Sequence, residues 1–206
     1  MDLWFKNDRE AIVVGAFGVI LKTDDGGNNW APIIDRIKNP NSSHLNSITQ
    51  CRDSLYIAGE FGLLFRSDDF GQNWKSLKSP FDGSLFGIIG NPEENTVIAF
   101  GLRGKIFYSN DKGESWMPAI NKGESALIGG TLLSNGSFCL VGNSPSPVIS
   151  VDGGKTFLSL PLALPPSTSI IEAKNGNLVI VGARGAFQIK PDALNPKITI
   201  NKGKLQ

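Results

Sequence analysis

Short apolar runs recur along this chain at nearly constant intervals, separated by polar, glycine-rich segments. The runs are Ala11-Ile12-Val13-Val14, Leu55-Tyr56-Ile57-Ala58, Val97-Ile98-Ala99-Phe100, Phe138-Cys139-Leu140-Val141 and Leu178-Val179-Ile180-Val181. Four residues is too short for a buried helix, and unbroken apolarity predicts strands covered on both faces. Further short strand patterns flank each run. Around the second run they read as 44–51, 54–59, 62–68 and 73–77. Four strands in about forty residues is the size of one propeller blade.

The polar segments repeat as well. A glycine ends each run: Gly15, Gly59, Gly101, Gly142 and Gly182. Eight residues beyond the first four lies an octet of the form Ser/Thr-x-Asp-x-Gly-x-x-aromatic. Its members are Thr23, Asp25, Gly27 and Trp30; Ser67, Asp69, Gly71 and Trp74; Ser109, Asp111, Gly113 and Trp116; and Ser150, Asp152, Gly154 and Phe157. The octets start at 23, 67, 109 and 150, so they are 44, 42 and 41 residues apart. In the fifth repeat only Asp192 keeps its place, with Leu194 and Lys197 where the glycine and aromatic would stand.

These residues read as a structural lock. The Asp and the hydroxyl accept backbone N–H groups of a hairpin, the glycine supplies a positive φ, and the aromatic is expected to be mostly buried between sheets. Each carboxylate belongs to a different blade, so a metal site or an acid pair is not expected from them. The turn before each octet, Gly15-Ala16-Phe17-Gly18 and its equivalents, predicts a type I turn with a G1 bulge. No helix follows it, so it is not a phosphate loop. Asn143 to Pro147 departs from this pattern in the fourth repeat.

The predicted fold is all-β. It is a β-propeller of five four-stranded antiparallel Asp-box blades forming a single domain over 1–206, with blades at about 1–36, 44–78, 84–119, 125–162 and 168–202. The blades would form either a closed five-blade ring or the five-blade part of a larger, seven-bladed propeller. The decayed last box, and the lack of a spare strand to stitch the ring, favour the second.

Composition narrows the function classes. The 206 residues carry a net charge of +1, with 40% hydrophobic and 19% charged residues. No basic run exists, so no nucleic-acid partner is expected. No apolar stretch is long enough to span a bilayer, so no membrane insertion is expected. The first residues lack the features of a signal peptide. Cys51 and Cys139 fall in blades two and four and read as small buried residues rather than a disulfide or a zinc site. No cofactor is implied.

Taken together, Trp4-Phe5, Val13-Val14-Gly15-Ala16-Phe17-Gly18 and Lys22-Thr23-Asp24-Asp25-Gly26-Gly27 resemble the photosystem II stability/assembly factor family. The Asp-box (BNR) repeat alone also occurs in sialidases and other glycosidases. The resemblance covers essentially the whole chain. It implies a propeller of commonly seven blades, export to the periplasm or thylakoid lumen, and an arginine-rich surface for docking on a protein.

Two function classes follow. A sialidase-like glycosidase, or a glycan-binding module, is the alternative. That chemistry needs an accessible tyrosine nucleophile with an acid partner, and a cluster of arginines. Only Tyr56 and Tyr108 are present, one in an inner apolar strand and one leading into a box. The favoured class is a non-catalytic scaffold that docks on a protein partner, with no catalytic residues. In a propeller the turns between second and third strands share a face with the connections between blades. That face would gather Phe17, Glu60, Phe61, Arg103 and Arg184, with Arg36 and His44 from the longest connection. Arg103 and Arg184 occupy equivalent turn tips in this reading.

Overall fold

The computed structural model describes residues 1–190. Blade 1 is formed by β1 (Asp2–Phe5), β2 (Ala11–Val14), β3 (Ile20–Thr23) and β4 (Ala31–Pro32). Blade 2 follows with β5 (Leu45–Cys51), β6 (Ser54–Gly59), β7 (Leu64–Ser67) and β8 (Lys75–Ser76). Blade 3 has β9 (Leu85–Asn91), β10 (Thr96–Gly101), β11 (Ile106–Ser109) and β12 (Met117–Pro118). Within each blade successive strands are antiparallel neighbours. The molecule is the five-blade propeller that the repeat predicts, and its only helical segments among the described residues are single 3-10 turns.

Blade 4 has one addition that the repeat does not foretell. The connection after blade 3 contains β13 (Ile120–Asn121), which pairs in parallel with β17 (Thr156–Ser159) on the outer rim of blade 4. The rest of that blade is β14 (Leu127–Leu132), β15 (Phe138–Gly142) and β16 (Val148–Ser150). Blade 5 consists of β18 (Ser167–Glu172), β19 (Leu178–Gly182) and β20 (Gly185–Ile189). The expected fourth strand of that blade and its decayed box fall outside the described residues.

The core lies between blades. Every residue of β6 and of β10 is buried. Leu55, Ile57 and Phe65 of blade 2 pack with Ile12, Val14 and Ile20 of blade 1. Tyr56, Ala58 and Leu64 of blade 2 pack instead with Val97, Ala99 and Phe107 of blade 3. The alternation of a strand thus serves two neighbours, which explains the unbroken apolar runs. Cys51 and Cys139 are buried free thiols in separate interfaces.

The end blades differ because, among the described residues, each has one neighbour. Leu3, Phe5 and Val19 on blade 1, and Ile171 and Val181 on blade 5, are exposed. Packing runs from β1 to β5, β9, β14 and β18, and no packing of that strength joins blade 5 to blade 1 among the described residues. The inner strands surround a channel of about 530 Å³ lined mainly by small and polar residues, among them Asp2, Ser47, Thr49, Thr131 and Ser169.

Candidate functional site

The two ends of the propeller are built differently. At one end sit the four octets, closed by the same bonds each time. Gly27, Gly71, Gly113 and Gly154 donate their N–H to Thr23, Ser67, Ser109 and Ser150 Oγ at 2.8–2.9 Å. Asp25, Asp69, Asp111 and Asp152 Oδ1 accept the N–H of Asn29, Asn73, Ser115 and Thr156 at 2.9–3.0 Å. These bonds favour the ionised carboxylate. The Asn29 amides bring the Asp25 pKa down to about 2. Burial pushes Asp69 upward, but hydrogen bonds from Asn73, Ser67 and Gln72 outweigh it and lower the pKa. The four carboxylates do not converge on one pocket.

The box aromatics lean toward the preceding blade. Trp74 packs against the interface of blades 1 and 2, Trp116 against that of blades 2 and 3, and Phe157 against that of blades 3 and 4. The box glycines sit at the same contacts. A Cβ on Gly113 would lie 2.7 Å from Leu77 of blade 2. Burial of all four aromatics is therefore corrected at one of them. Trp30 is 38% exposed, because no described blade precedes blade 1.

The opposite end carries the turns between second and third strands. Glu60 N–H donates to His44 O at 3.0 Å, Gly62 N–H to Gly83 O at 2.9 Å, and Leu102 N–H to Ser84 O at 3.0 Å. The turns thus bond the connections between blades, and both lie on one face. Their conformation corrects the expected type I turn with a G1 bulge. Phe17, Phe61 and Arg103 have φ of 55°, 52° and 57°, and the glycines after them have φ of 70°, 71° and 64°. Two consecutive positive φ values closed by a bond such as Val19 N–H to Ala16 O (3.1 Å) define a type I′ turn. Its twist matches the strands, which is why it wins over type I. Each non-glycine residue held there costs about 1–2 kcal/mol.

The equivalence of Arg103 and Arg184 is also corrected. Gly182 pairs directly with Gly185, leaving Ala183 and Arg184 as a two-residue hairpin, and Arg184 is absent from the positive-φ residues. The ladder runs one step further in blade 5, so the side chain leaves the turn from a different backbone geometry. Both arginines are exposed. In blade 4 no residue of 143–147 has a positive φ, and Leu164 N–H reaches Pro145 O instead.

Three of the seven candidate residues, Phe17, His44 and Glu60, form one cluster. The His44 ring stands edge-on to Phe17, with centroids 5.1 Å apart. His44 N–H donates to Glu60 Oε2 at 2.9 Å, and its Nδ1 lies 3.6 Å from Glu60 Oε1. Phe61 follows Glu60 in the chain, and both phenylalanine rings are exposed, at 74% and 73%. Arg103 lies apart from this cluster, on the rim of a groove of about 390 Å³ with Phe81, Phe107, Lys105, Lys122 and Glu124. Nothing joins Arg36 or Arg184 to either group among the described residues. The sequence pattern missed Lys105, Lys122 and Phe81. Their signal was their place in a turn or connection on the same face.

Charge separates between the ends. The turns and connections of this face hold seven cations, Arg36, Lys38, Lys78, Arg103, Lys105, Lys122 and Arg184, against four carboxylates, Asp35, Glu60, Asp82 and Glu124, a net +3. The hairpins of the box face, at 6–10, 24–30, 52–53, 68–75, 92–95, 110–116, 151–155 and 172–177, hold thirteen carboxylates against seven cations, a net −6. Among the described residues none of the seven turn-face cations is ion-paired, whereas Lys6, Lys75 and the half-buried Arg66 are paired with box-face carboxylates. Tyr56 is 1% exposed, and burial raises its pKa to about 12. No metal-competent group of side chains occurs among the described residues.

Comparison with known proteins places this arrangement. A solved structure titled "YCF48 bound to D1 peptide" is similar, with TM-score 0.75 and 18% identity over 93% of this chain and 63% of that one. YCF48 from Cyanidioschyzon merolae gives TM-score 0.71 and 17% identity over 93% and 66%. The Niastella koreensis GH74 enzyme gives TM-score 0.67 and 16% identity over 94% and 30%, a likeness of fold alone. The chain thus spans about 63–66% of the length of the two YCF48 structures. No curated protein matches the chain by sequence. The family model described as photosynthesis system II assembly factor YCF48 matches residues 1–192, and the chain belongs to that family.

Proposed function

We propose that this propeller is a non-catalytic scaffold whose turn face docks on a protein partner, in the manner of an assembly or stability factor. The carrying observation is the contrast between the ends. The box face holds its four box carboxylates in hydrogen bonds and carries most of the ion pairs, while the turn face leaves aromatic rings and unpaired arginines exposed on a rigid scaffold. A YCF48 protein solved with a D1 peptide supports a peptide segment as the kind of partner. Burial of Tyr56 supports the absence of a sialidase-type nucleophile, and the GH74 likeness carries no activity with it.

Phe17, His44, Glu60, Phe61, Arg103, Arg184 and Arg36 are the proposed docking residues, with Arg103 and its groove at the centre. A synthetic D1 peptide is the direct probe, read by fluorescence anisotropy. Replacing Arg103 and Arg184 together by Ala should weaken binding about tenfold or more, which is about 1.4 kcal/mol. The melting temperature should stay nearly constant, since surface changes usually cost within about 0.5 kcal/mol. Equal binding by the folded double variant would remove these arginines from the site. Hydrolysis of a glycoside by the pure protein would restore the enzyme reading.

A further inference from the structure

We propose that copies of this chain associate head to tail, the outer flank of blade 5 in one copy packing on the outer flank of blade 1 in the next. In blade 1, Leu3, Val13, Leu21 and Pro32 stand directly opposite one another across β1 to β4. Every blade has this row, set by the residue two places before its turn glycine. In blade 2 it begins Ile48, Ile57 and Phe65, and in blade 3 Ile88, Ala99 and Phe107. Both rows are buried against the blade before them. Leu140 and Val148 of blade 4, and Ile170 and Ile180 of blade 5, are buried in the same way. Blade 1 presents its row with no described blade before it, and Leu3 and Phe5 are 43% and 64% exposed.

The other flank of each blade is set by the residue three places before the turn glycine. Ile12, Tyr56, Ile98 and Cys139 each pack on the blade that follows. Val179 is their counterpart in blade 5. It pairs with Ile171 and stands near Val181, and those two are 56% and 45% exposed. The two exposed flanks are thus of opposite kinds, one that receives a blade and one that is received, as at each interface inside the propeller. A second copy supplies the matching half of both. The box of blade 1 is shaped for the same contact. A Cβ on Gly71 would collide with Ile12, and one on Gly154 would lie 2.6 Å from Ile98, whereas Gly27 has only its own Trp30 for company. Val179 of a second copy takes the place against Gly27 that Ile12 and Ile98 take inside the propeller.

Polarity separates this contact from the two charged ends of the propeller. Neither flank row carries an ionisable side chain: one holds Leu3, Val13 and Leu21, the other Ile171, Val179 and Gln188. A repeat array that meets solvent does so through a terminal unit with a polar outer face. Blades 1 and 5 turn apolar side chains outward instead, and a contiguous apolar patch marks an interaction surface. The contact is heterologous, so a pair of copies keeps one free flank of each kind and further copies can add. It uses none of the proposed docking residues of the turn face.

Sedimentation velocity on the full chain tests this. The average mass should rise with protein concentration, and raised salt should not abolish the rise, because no charge takes part. Leu3→Lys with Phe5→Lys blocks the receiving flank, and Ile171→Lys with Val181→Lys blocks the other. All four side chains are exposed in a single copy, so both variants should melt near the parent temperature at high dilution. Each variant alone should stay monomeric at concentrations about tenfold above those at which the parent associates. Mixed, the two should form a dimer of one copy each and nothing larger, since one intact flank of each kind remains. A parent that stays monomeric at every concentration would overturn the proposal, as would failure of the two folded variants to pair. Self-association by either blocked variant alone would show like flanks pairing, and loss of association in salt would show the turn face of one copy stacked on the box face of another. Either result would overturn it too.

Discussion

The box face and the turn face use the same backbone device to opposite ends. At Phe70 and Lys112 in the boxes, and at Phe17, Phe61 and Arg103 in the turns, a non-glycine residue is held at positive φ. In the boxes that kink lets a hydroxyl and a carboxylate collect the N–H groups of the hairpin, and an aromatic folds onto the preceding blade. In the turns the hairpin is closed by backbone bonds alone, and the side chain at the kink projects outward. Repeated side-chain chemistry at one end fixes the fold and frees the other end to vary. The variation from Phe to Arg along the turns, against the near-constancy of the boxes, is the mark of that division.

The largest effect expected of this contrast is within the box face itself. Trp116→Ala should cost about 3–5 kcal/mol in chemical denaturation, since the ring is buried between two blades. Trp30→Ala should cost roughly 1 kcal/mol, because one side of that ring faces solvent. Equal losses would show that Trp30 is covered in solution, and would place a further surface against blade 1.

Next comes acid. Asp25 has a folded pKa near 2, and Asp69, Asp111 and Asp152 are also lowered. A depressed folded pKa means stability that is complete above the unfolded value of about 3.9 and lost as pH falls through the folded one. Melting temperature should therefore decline from about pH 4 toward pH 2. Asp25→Asn combined with Asp69→Asn should flatten that decline, while Arg103→Ala should not alter it. A slope unchanged by the box variants would move the acid sensitivity to other carboxylates.

The smallest effect sharpens the turn face. Phe17→Gly or Phe61→Gly removes a left-handed strain of about 1–2 kcal/mol and adds unfolded-state entropy worth about 0.5–1 kcal/mol. The net change should lie between zero and a gain of about 1.5 kcal/mol. A clear loss in thermal melts would mean that the rings pack on the protein.

Most of the fold was legible because the repeat writes each rule four times. The spacing of Gly59, Asp69 and Trp74 recurs in step with the apolar runs, and the hydrogen bonds of the boxes follow from residue type. What escaped was set by neighbours. Nothing local distinguishes Trp30 from Trp116; the difference is the blade beside it. The type I′ turns were misread because Phe and Arg rarely accept a positive φ, and only the pull of the flanking ladder places them there. The partition of charge was hidden as well, since a net of +1 averages two ends of opposite sign. Of the proposed docking residues, Phe17, His44 and Glu60 meet, whereas Arg103 stands apart, because the connection before β5 returns to the first turn and not to the third.

The parallel pair of β13 and β17 bears on how such a molecule comes apart. Repeated units that touch only their neighbours tend to open one at a time from the ends. Ile120 belongs by sequence to the exit of blade 3, yet its N–H donates to Lys155 O of blade 4 at 2.8 Å. A loosening of either blade must break that rim bond. The two are therefore expected to open together in native-state hydrogen exchange, making the array more cooperative at blades 3 and 4 than the repeat alone would confer.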